Sequence, residues 1–365
     1  GDKKLEEIEN IWNGLKPPYT ELFLWLEKKA DLPLIDQANY FHSFMLAHSM
    51  EMKLLEKIIN NQDYYVEYKW DGIRVQLIIK NNNTKIFSRS GDNISNSFPE
   101  IQIKSNKLIV LDGELLVGKN LSPNSFNNLQ KRINKKKPNK DLLVNYPAFI
   151  KLYDVLFLDG KDLRKKNLQE RRNLLEEWFL KHTNDNLDIS KLINYSNKES
   201  LIKIFKSISK KENIEGLMIK YKHSGYIAGR KKGHWYKWKK DPKFLDTILM
   251  YAQRGHGKRS SYYSDFTFGV WKNNTIVPIA KAYSGYTDTE LEKIDKFIRK
   301  NTIAKYGPVR EVKKELVFEL AFDSMNESNR HKSGIALRFP RVHRIRWDKP
   351  TKDVLGLDEI KRNFL

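Results

Sequence analysis

A lysine that ends a strand and is followed at once by a turn is the residue in this sequence best placed to do chemistry. The stretch Glu67-Tyr68-Lys69-Trp70-Asp71-Gly72-Ile73-Arg74 has that form. Tyr64–Trp70 alternates apolar and polar side chains as a strand does, and Asp71-Gly72 reverses the chain immediately afterwards. A lysine amine attacks an electrophile only through its lone pair, and a neighbouring cation such as Arg74 favours the uncharged form. The same Lys-x-Asp-Gly pattern also suits an exposed hairpin, because lysine, aspartate and glycine are common turn residues. The two readings separate only on the company the motif keeps.

The elements that must position this lysine are read from periodicity. Strands are predicted at Tyr64–Trp70, Val75–Lys80 and Thr84–Ser88, with Asn81-Asn82-Asn83 as the hairpin turn, and again at Leu108–Val117, Ala148–Leu158, Gly216–Tyr221 and His234–Lys239. Helical spacing fills Met50–Asn61, Asn124–Asn134, Leu168–His182 and Lys198–Glu212. Ahead of these, Leu5, Ile8, Ile11, Trp12 and Leu15 recur at helical intervals, Pro17-Pro18 breaks the run, and Leu22, Phe23 and Leu26 resume it. Asp241-Pro242 ends the pattern. Beyond it, strands are expected at Thr247–Ala252, Asp265–Trp271, Ile276–Tyr283, Leu316–Phe322 and Val342–Trp347, with one helix at Asp288–Asn301. The architecture this predicts is α+β: a short helical arm over residues 1–49, a domain of antiparallel sheets flanked by helices over 50–241, and a small OB-type barrel over 242–365.

Composition narrows the partners. The 365 residues carry 67 Lys+Arg against 45 Asp+Glu, a formal charge of +22, which points to a polyanion. A bias toward lysine and asparagine, as in Asn81–Asn83 and Lys135–Lys137, inflates that charge, but aromatic residues interleave the basic ones in His234-Trp235-Tyr236-Lys237-Trp238-Lys239-Lys240, a mix suited to backbone contact with stacking. There is no cysteine, so disulfides, thiolate-bound zinc, iron–sulfur clusters and thiol mechanisms are excluded. No signal peptide or spanning segment is legible, and a soluble chain is expected.

Further motifs follow Lys69 in a fixed order: Ser88-Arg89-Ser90-Gly91, Leu111-Asp112-Gly113-Glu114-Leu115, Leu152-Tyr153-Asp154-Val155-Leu156-Phe157-Leu158, Glu215-Gly216-Leu217-Met218-Ile219-Lys220, Trp235–Asp241 and Leu337-Arg338-Phe339-Pro340-Arg341. In this series the chain resembles the ATP-dependent DNA ligases of the covalent nucleotidyltransferase superfamily, from about His48 to its C-terminus, and Tyr251–Lys258 with Arg338–Pro350 resembles a bacterial branch of them. The resemblance implies a lysyl-AMP on Lys69 formed from ATP with Mg²⁺, transfer of AMP to the 5′-phosphate of nicked double-stranded DNA, and attack by the 3′-hydroxyl. Glu67 would then recognise the adenine amino edge. Arg74 and Arg89 would hold the ribose and the 5′-phosphate, and Glu114 would lie at the ribose or a metal. Tyr153 would stack on adenine where the family more often has Phe, and Glu215 would help bind Mg²⁺. Lys237 and Lys239, two apart on one strand face, would reach the α-phosphate. Arg338, Asp348 and Lys349 would orient the leaving pyrophosphate, which implies a barrel that swings about a hinge near Asp241-Pro242.

Fewer residues precede the catalytic domain than in larger members of the family. Basic segments are therefore expected to take over part of the DNA grip: Lys131–Lys140 with Lys135, Lys136 and Lys137, Gly229–Gly233 with Arg230, Lys231 and Lys232, and Arg254–Arg259 with Arg254, Lys258 and Arg259. The absence of cysteine speaks against the NAD-dependent ligases, which carry a four-cysteine zinc module, and Arg338-Phe339-Pro340-Arg341 favours DNA over an RNA or mixed-substrate ligase. A non-catalytic single-strand-binding barrel would need neither Lys69 nor the Lys237/Lys239 pair. The expected protein acts as a monomer on DNA in the bacterial cytoplasm, associated with the nucleoid.

Overall fold

A computed structural model describes residues 3, 8, 11–12, 14–15, 17–33, 40–59, 63–133, 135–182, 184–208, 211, 213–257, 260–329 and 331–365. Leu5 and the expected helix ends at Asn61, Asn134 and Glu212 lie outside them. The chain divides into two compact units, Gly1–Lys240 and Asp241–Leu365. No helix among the described residues is long and apolar enough to cross a membrane.

The first unit runs α1 (Thr20–Leu26), β1 (His48–Ser49), α2 (Met52–Ile58), β2 (Tyr64–Trp70), β3 (Ile73–Lys80), β4 (Asn83–Ser88), β5 (Ile109–Val117), α3 (Phe126–Ile133), α4 (Lys140–Asn145), β6 (Ala148–Leu158), β7 (Lys161–Asp162), α5 (Leu168–Lys181), β8 (Leu187–Ile189), α6 (Lys198–Ser207), β9 (Ile214–Tyr221) and β10 (Trp235–Lys239). Four strands form one sheet in the order β1-β10-β9-β2, and six form another along β4-β3-β5-β6-β7 with β8 on β6. Period-two alternation gives each sheet two faces. On the larger sheet Val75, Leu77, Leu111, Leu115 and Leu152 pack under α5 through Leu175 and Trp178. On the smaller, Val66, Leu217, Ile219 and Tyr236 pack with Leu55 of α2 and Leu201 of α6. The opposite faces turn toward one another and are joined by Phe44, Met45, Ile78, Val110, Tyr226 and Trp235.

Helix ends follow their caps. Asn167 and Asn197 each accept from the amide three residues on, fixing the starts of α5 and α6. The β2–β3 reversal is tight enough that a Cβ on Gly72 would come within 2.5 Å of the Leu115 carbonyl oxygen. A side chain there would push the turn off the larger sheet.

The second unit runs β11 (Lys243–Arg254), β12 (Tyr263–Lys272), β13 (Thr275–Ala282), α7 (Asp288–Asn301), β14 (Thr302–Tyr306), β15 (Val309–Val312), β16 (Val317–Phe322), β17 (Ser324–Glu327), β18 (Ile335–Arg338), β19 (Arg341–Arg346) and α8 (Leu357–Phe364). The long strand β11 is shared: its first half pairs with β16, its second with β12 and β15. Bulges in both the β11–β12 and β12–β13 ladders bend these strands as an OB barrel requires. Phe266, Phe268 and Phe318 fill the interior under α7, which Thr287 and Glu290 cap reciprocally.

Candidate active site

The facing sheets carry the polar groups of the first unit. On β2, Val66, Tyr68 and Trp70 join the helix-side core, which leaves Glu67 and Lys69 toward the opposite sheet. In register, Lys69 of β2 and Lys239 of β10 both stand opposite Gly216 of β9, and Glu67 and Lys237 both stand opposite Met218. The four charged side chains therefore form two rows on one surface.

Glu215 reaches this surface through an irregularity. The register shifts between Lys69 and Trp70, so Ile214 pairs with Trp70 and Gly216 with Lys69, and Glu215 is the extra residue of a bulge. Ile214 and Leu217 both pack toward the helices although three residues apart, an odd spacing that leaves Glu215 on the cleft side. Its carboxylate accepts a hydrogen bond from the Lys69 ammonium, and Lys239 Nζ lies 3.5 Å from the same oxygen. Burial pushes the Glu215 carboxyl up, but the charges of Lys69 and Lys239 outweigh it and hold the group at about 2. Gly216 lets the strands close here, since a Cβ on it would meet the Trp238 carbonyl oxygen at 2.0 Å.

Across the cleft, Tyr153 is likewise the extra residue of a bulge: Asp112 of β5 pairs with Asp154 of β6, and Gly113 with Leu152. The Lys220 ammonium lies 4.2 Å from the Tyr153 ring centroid and 4.5 Å from that of Trp235, and donates to Glu67 over 2.9 Å. Glu67 and Lys220 are almost wholly buried, at 3% and 1% exposure. Their pair closes the deep end of the cleft beside an aromatic wall.

Arg74 is fixed from several sides. Its Nε and one terminal nitrogen donate to the two oxygens of fully buried Asp112 over 3.0 and 2.7 Å, and the other terminal nitrogen donates to the Met45 carbonyl over 2.6 Å. Tyr226 donates to Asp112 over 2.8 Å. The guanidinium lies 4.2 Å from the Phe44 ring centroid. Glu114, beside this group, is pushed up to about 8 by burial and by the charges of Glu215 and Asp112, against the pull of Lys69 and Arg74. Lys237 is lowered by burial and then by Lys239, Arg230, Lys69 and Arg89, so five cations share one neighbourhood at the open end. That is a place for a polyphosphate.

The structure thus brings together Lys69, Glu67, Arg74, Arg89, Glu114, Tyr153, Glu215, Lys237 and Lys239, with Arg230 among them. Lys135, Lys136, Lys137, Lys231, Lys232 and Arg254 are exposed, while Lys258 and Arg259 lie outside the described residues. Arg132, inside the basic segment expected to face DNA, is a correction. It is fully buried, and its guanidinium donates to the Ser97 and Tyr146 carbonyls and to Glu100, so it is spent on the core. In the second unit Arg338 ends β18 in a two-stranded ribbon, whereas Asp348 and Lys349 follow β19. Sequence reasoning assigned no role to Asp112, Lys220 or Tyr226. The first two lie inside the quoted motifs, and Tyr226 carried no local signal.

Among the described residues no group of three His, Asp or Glu side chains could by itself hold a metal. Glu114 and Glu215 fit Mg²⁺ in the manner usual for that ion, as one or two carboxylates completed by substrate phosphates. Burial is the main cause of the high value at Glu114, and the neighbouring Glu215 carboxylate adds to it.

Two mainly antiparallel sheets that turn lysines and carboxylates toward each other, continued along the chain by an OB barrel, define the nucleotidyltransferase-plus-barrel class. Residues 44–239 match the ATP dependent DNA ligase domain, and 259–349 match the ATP dependent DNA ligase C terminal region. The chain belongs to the ATP-dependent DNA ligase family. It is 35% identical over 351 residues to a probable DNA ligase of Koribacter versatilis, covering 89% of this chain and 60% of that one. It is 32% identical over 295 residues to a DNA ligase of Methanococcus aeolicus, covering 79% and 52%. The chain thus spans little more than half the length of these relatives. Among solved structures, Pmar-Lig_PreS3 shares the fold with a TM-score of 0.62 at 20% identity, over 91% of this chain and 72% of that one. A Lig E DNA ligase shares it at 0.58 and 16%, over 84% and 100%.

Proposed function

We propose that the chain seals nicks in double-stranded DNA by three phosphoryl transfers that begin on Lys69. The observation that carries this reading is the pairing of Lys69 with Glu215 in a cleft whose open rim gathers Lys237, Lys239, Arg89 and Arg230. In the first transfer the Lys69 lone pair forms a bond to the α-phosphorus of ATP, the bond to pyrophosphate breaks, and a proton leaves the amine. An amine held as a cation by Glu215 has no lone pair to give, so Lys69 must first leave Glu215 and release one proton to solvent; the second proton leaves once the P–N bond has formed. Lys239, 3.5 Å from the same carboxylate oxygen, is placed to take over Glu215. Glu114 and Glu215 would hold Mg²⁺, which when bound neutralises phosphate charge.

Glu67 supplies the acceptor for the adenine amino group, and Tyr153 the flat face against which the base packs. Arg89 and Arg230 supply donors for the 5′-phosphate of the nick, while Lys135–Lys137, Lys231, Lys232 and Arg254 lie along exposed surface suited to the phosphate backbone. Arg338, Asp348 and Lys349 serve the first transfer. Incubation with ATP labelled at the α-phosphate tests the reading: an acid-labile adduct on the protein, lost in Lys69→Ala, is expected. Labelling of Lys69→Ala at the wild-type level refutes it.

A further inference from the structure

The second unit sets two acids directly against each other. Asp246 of β11 stands opposite Glu319 of β16, and Glu319 stands opposite Arg344 of β19. Like charges in facing strand positions destabilise a sheet unless cations repay them. Here they are repaid on every side. Arg344 grips Glu319 through two bonds of 3.1 Å, and His343 Nε2 lies 3.7 Å from it. Arg346 bridges the two acids, 3.4 Å from Asp246 and 3.9 Å from Glu319, and also donates to Asp348 over 3.2 and 3.1 Å. Lys349 donates to Asp246 over 2.7 Å, on the oxygen that Arg346 also approaches. The other oxygen, Oδ1, is buried with no hydrogen-bond partner. Asp246 is thus a carboxylate whose hydrogen bonding is given to two cations, Arg346 at the end of β19 and Lys349 just after it.

We propose that Asp246 is the positioning residue for Lys349, holding its ammonium in place for self-adenylylation; the inference rests on the ligase reading above. A lysine side chain alone samples many rotamers, and fixing one of them in advance is what converts a nearby charge into a preorganised one. The chain around it is built for that purpose. The Lys349 amide closes a turn onto the Arg346 carbonyl over 3.2 Å, and Arg346 is itself clamped between Asp246, Glu319 and Asp348. Rigid backbone and a single acceptor leave the Nζ little freedom.

The test separates charging from sealing in the full chain. Asp246→Asn should slow formation of the lysyl adduct from ATP by tenfold or more, yet seal a nick already carrying 5′-AMP within twofold of wild type, which also shows that the variant folds. Lys349→Ala should behave alike, and Asp246→Asn combined with Lys349→Ala should charge no more slowly than Lys349→Ala alone. Wild-type charging by Asp246→Asn, equal loss in both assays, or losses that multiply in the double variant would each overturn the assignment while leaving the ligase reading intact. If the wild-type chain forms no adduct at all, that reading fails and this one with it.

Discussion

Glu215 is the extra residue of the bulge that faces Lys69, and its carboxylate holds the lysine's ammonium. The group that holds this lysine is therefore delivered by the irregularity that allows Gly216, and not Glu215, to stand opposite Lys69. Replacing Glu215 by Gln keeps the shape and removes the charge. Its first-step rate should fall by about a hundredfold or more, the scale on which a single charged group matters in a phosphate site. Adduct formation in single-turnover labelling measures it, and a loss under threefold would show that Glu215 is incidental.

Glu114 links stability to pH with a definite sign. Its folded value, about 8, lies above the unfolded 4.5, so the folded state binds more protons across that interval. The contribution is fully present below about 4.5 and is lost as pH rises through 8. Glu114→Gln removes the penalty of ionising a crowded carboxyl. The variant should therefore melt roughly 5 °C above wild type at pH 8.5 and alongside it at pH 4.5, by scanning calorimetry. A constant offset across pH would contradict the assignment.

Gly216→Ala should cost about 3 kcal/mol or more, because its Cβ would meet the Trp238 carbonyl oxygen at 2.0 Å and force β9 and β10 apart. Denaturant unfolding reads the change. A soluble variant within 1 kcal/mol of wild type would show that the strands can yield.

Arg132 and its exposed neighbours divide two effects that sequence alone merges. Changing Lys135, Lys136 and Lys137 together to Ala should lower the slope of log affinity against log salt for nicked duplex by about 3, with melting unchanged. Arg132→Ala should do the reverse. It takes the guanidinium donors from Glu100, which keeps only the Ala148 amide, and from two carbonyls, costs about 3 kcal/mol, and spares the salt slope.

Much of the fold was legible because period and caps agreed. Tyr64–Trp70, Ala148–Leu158 and Asp288–Asn301 run as expected; the first alternates apolar and polar residues from Val66 to Trp70, and the last begins at the Thr287/Glu290 capping box. The hairpin of β14 and β15 went unread because Ile303 and Tyr306 are exposed and Val312 alone is buried, so no alternating face marks the strands. The helix Leu357–Phe364 did carry a signal, Leu357, Ile360 and Phe364 at helical spacing, over barely two turns. In the site, residue types were legible and their arrangement was not. The predicted strand opened at Gly216, one residue past Glu215, and alternation cannot foresee a bulge at Tyr153. Nor does composition tell a lysine that meets solvent from Lys220, buried against Glu67.

Glu215 and Tyr153 each enter the cleft as a surplus residue at a bulge, one in β9 and the other in β6. Deleting either one would remove that bulge from its ladder while withdrawing its side chain from the cleft. Scaffold and reactivity are in this sense written in separable characters of the chain, so a lineage could fall silent through a single codon loss and still produce a well-folded molecule.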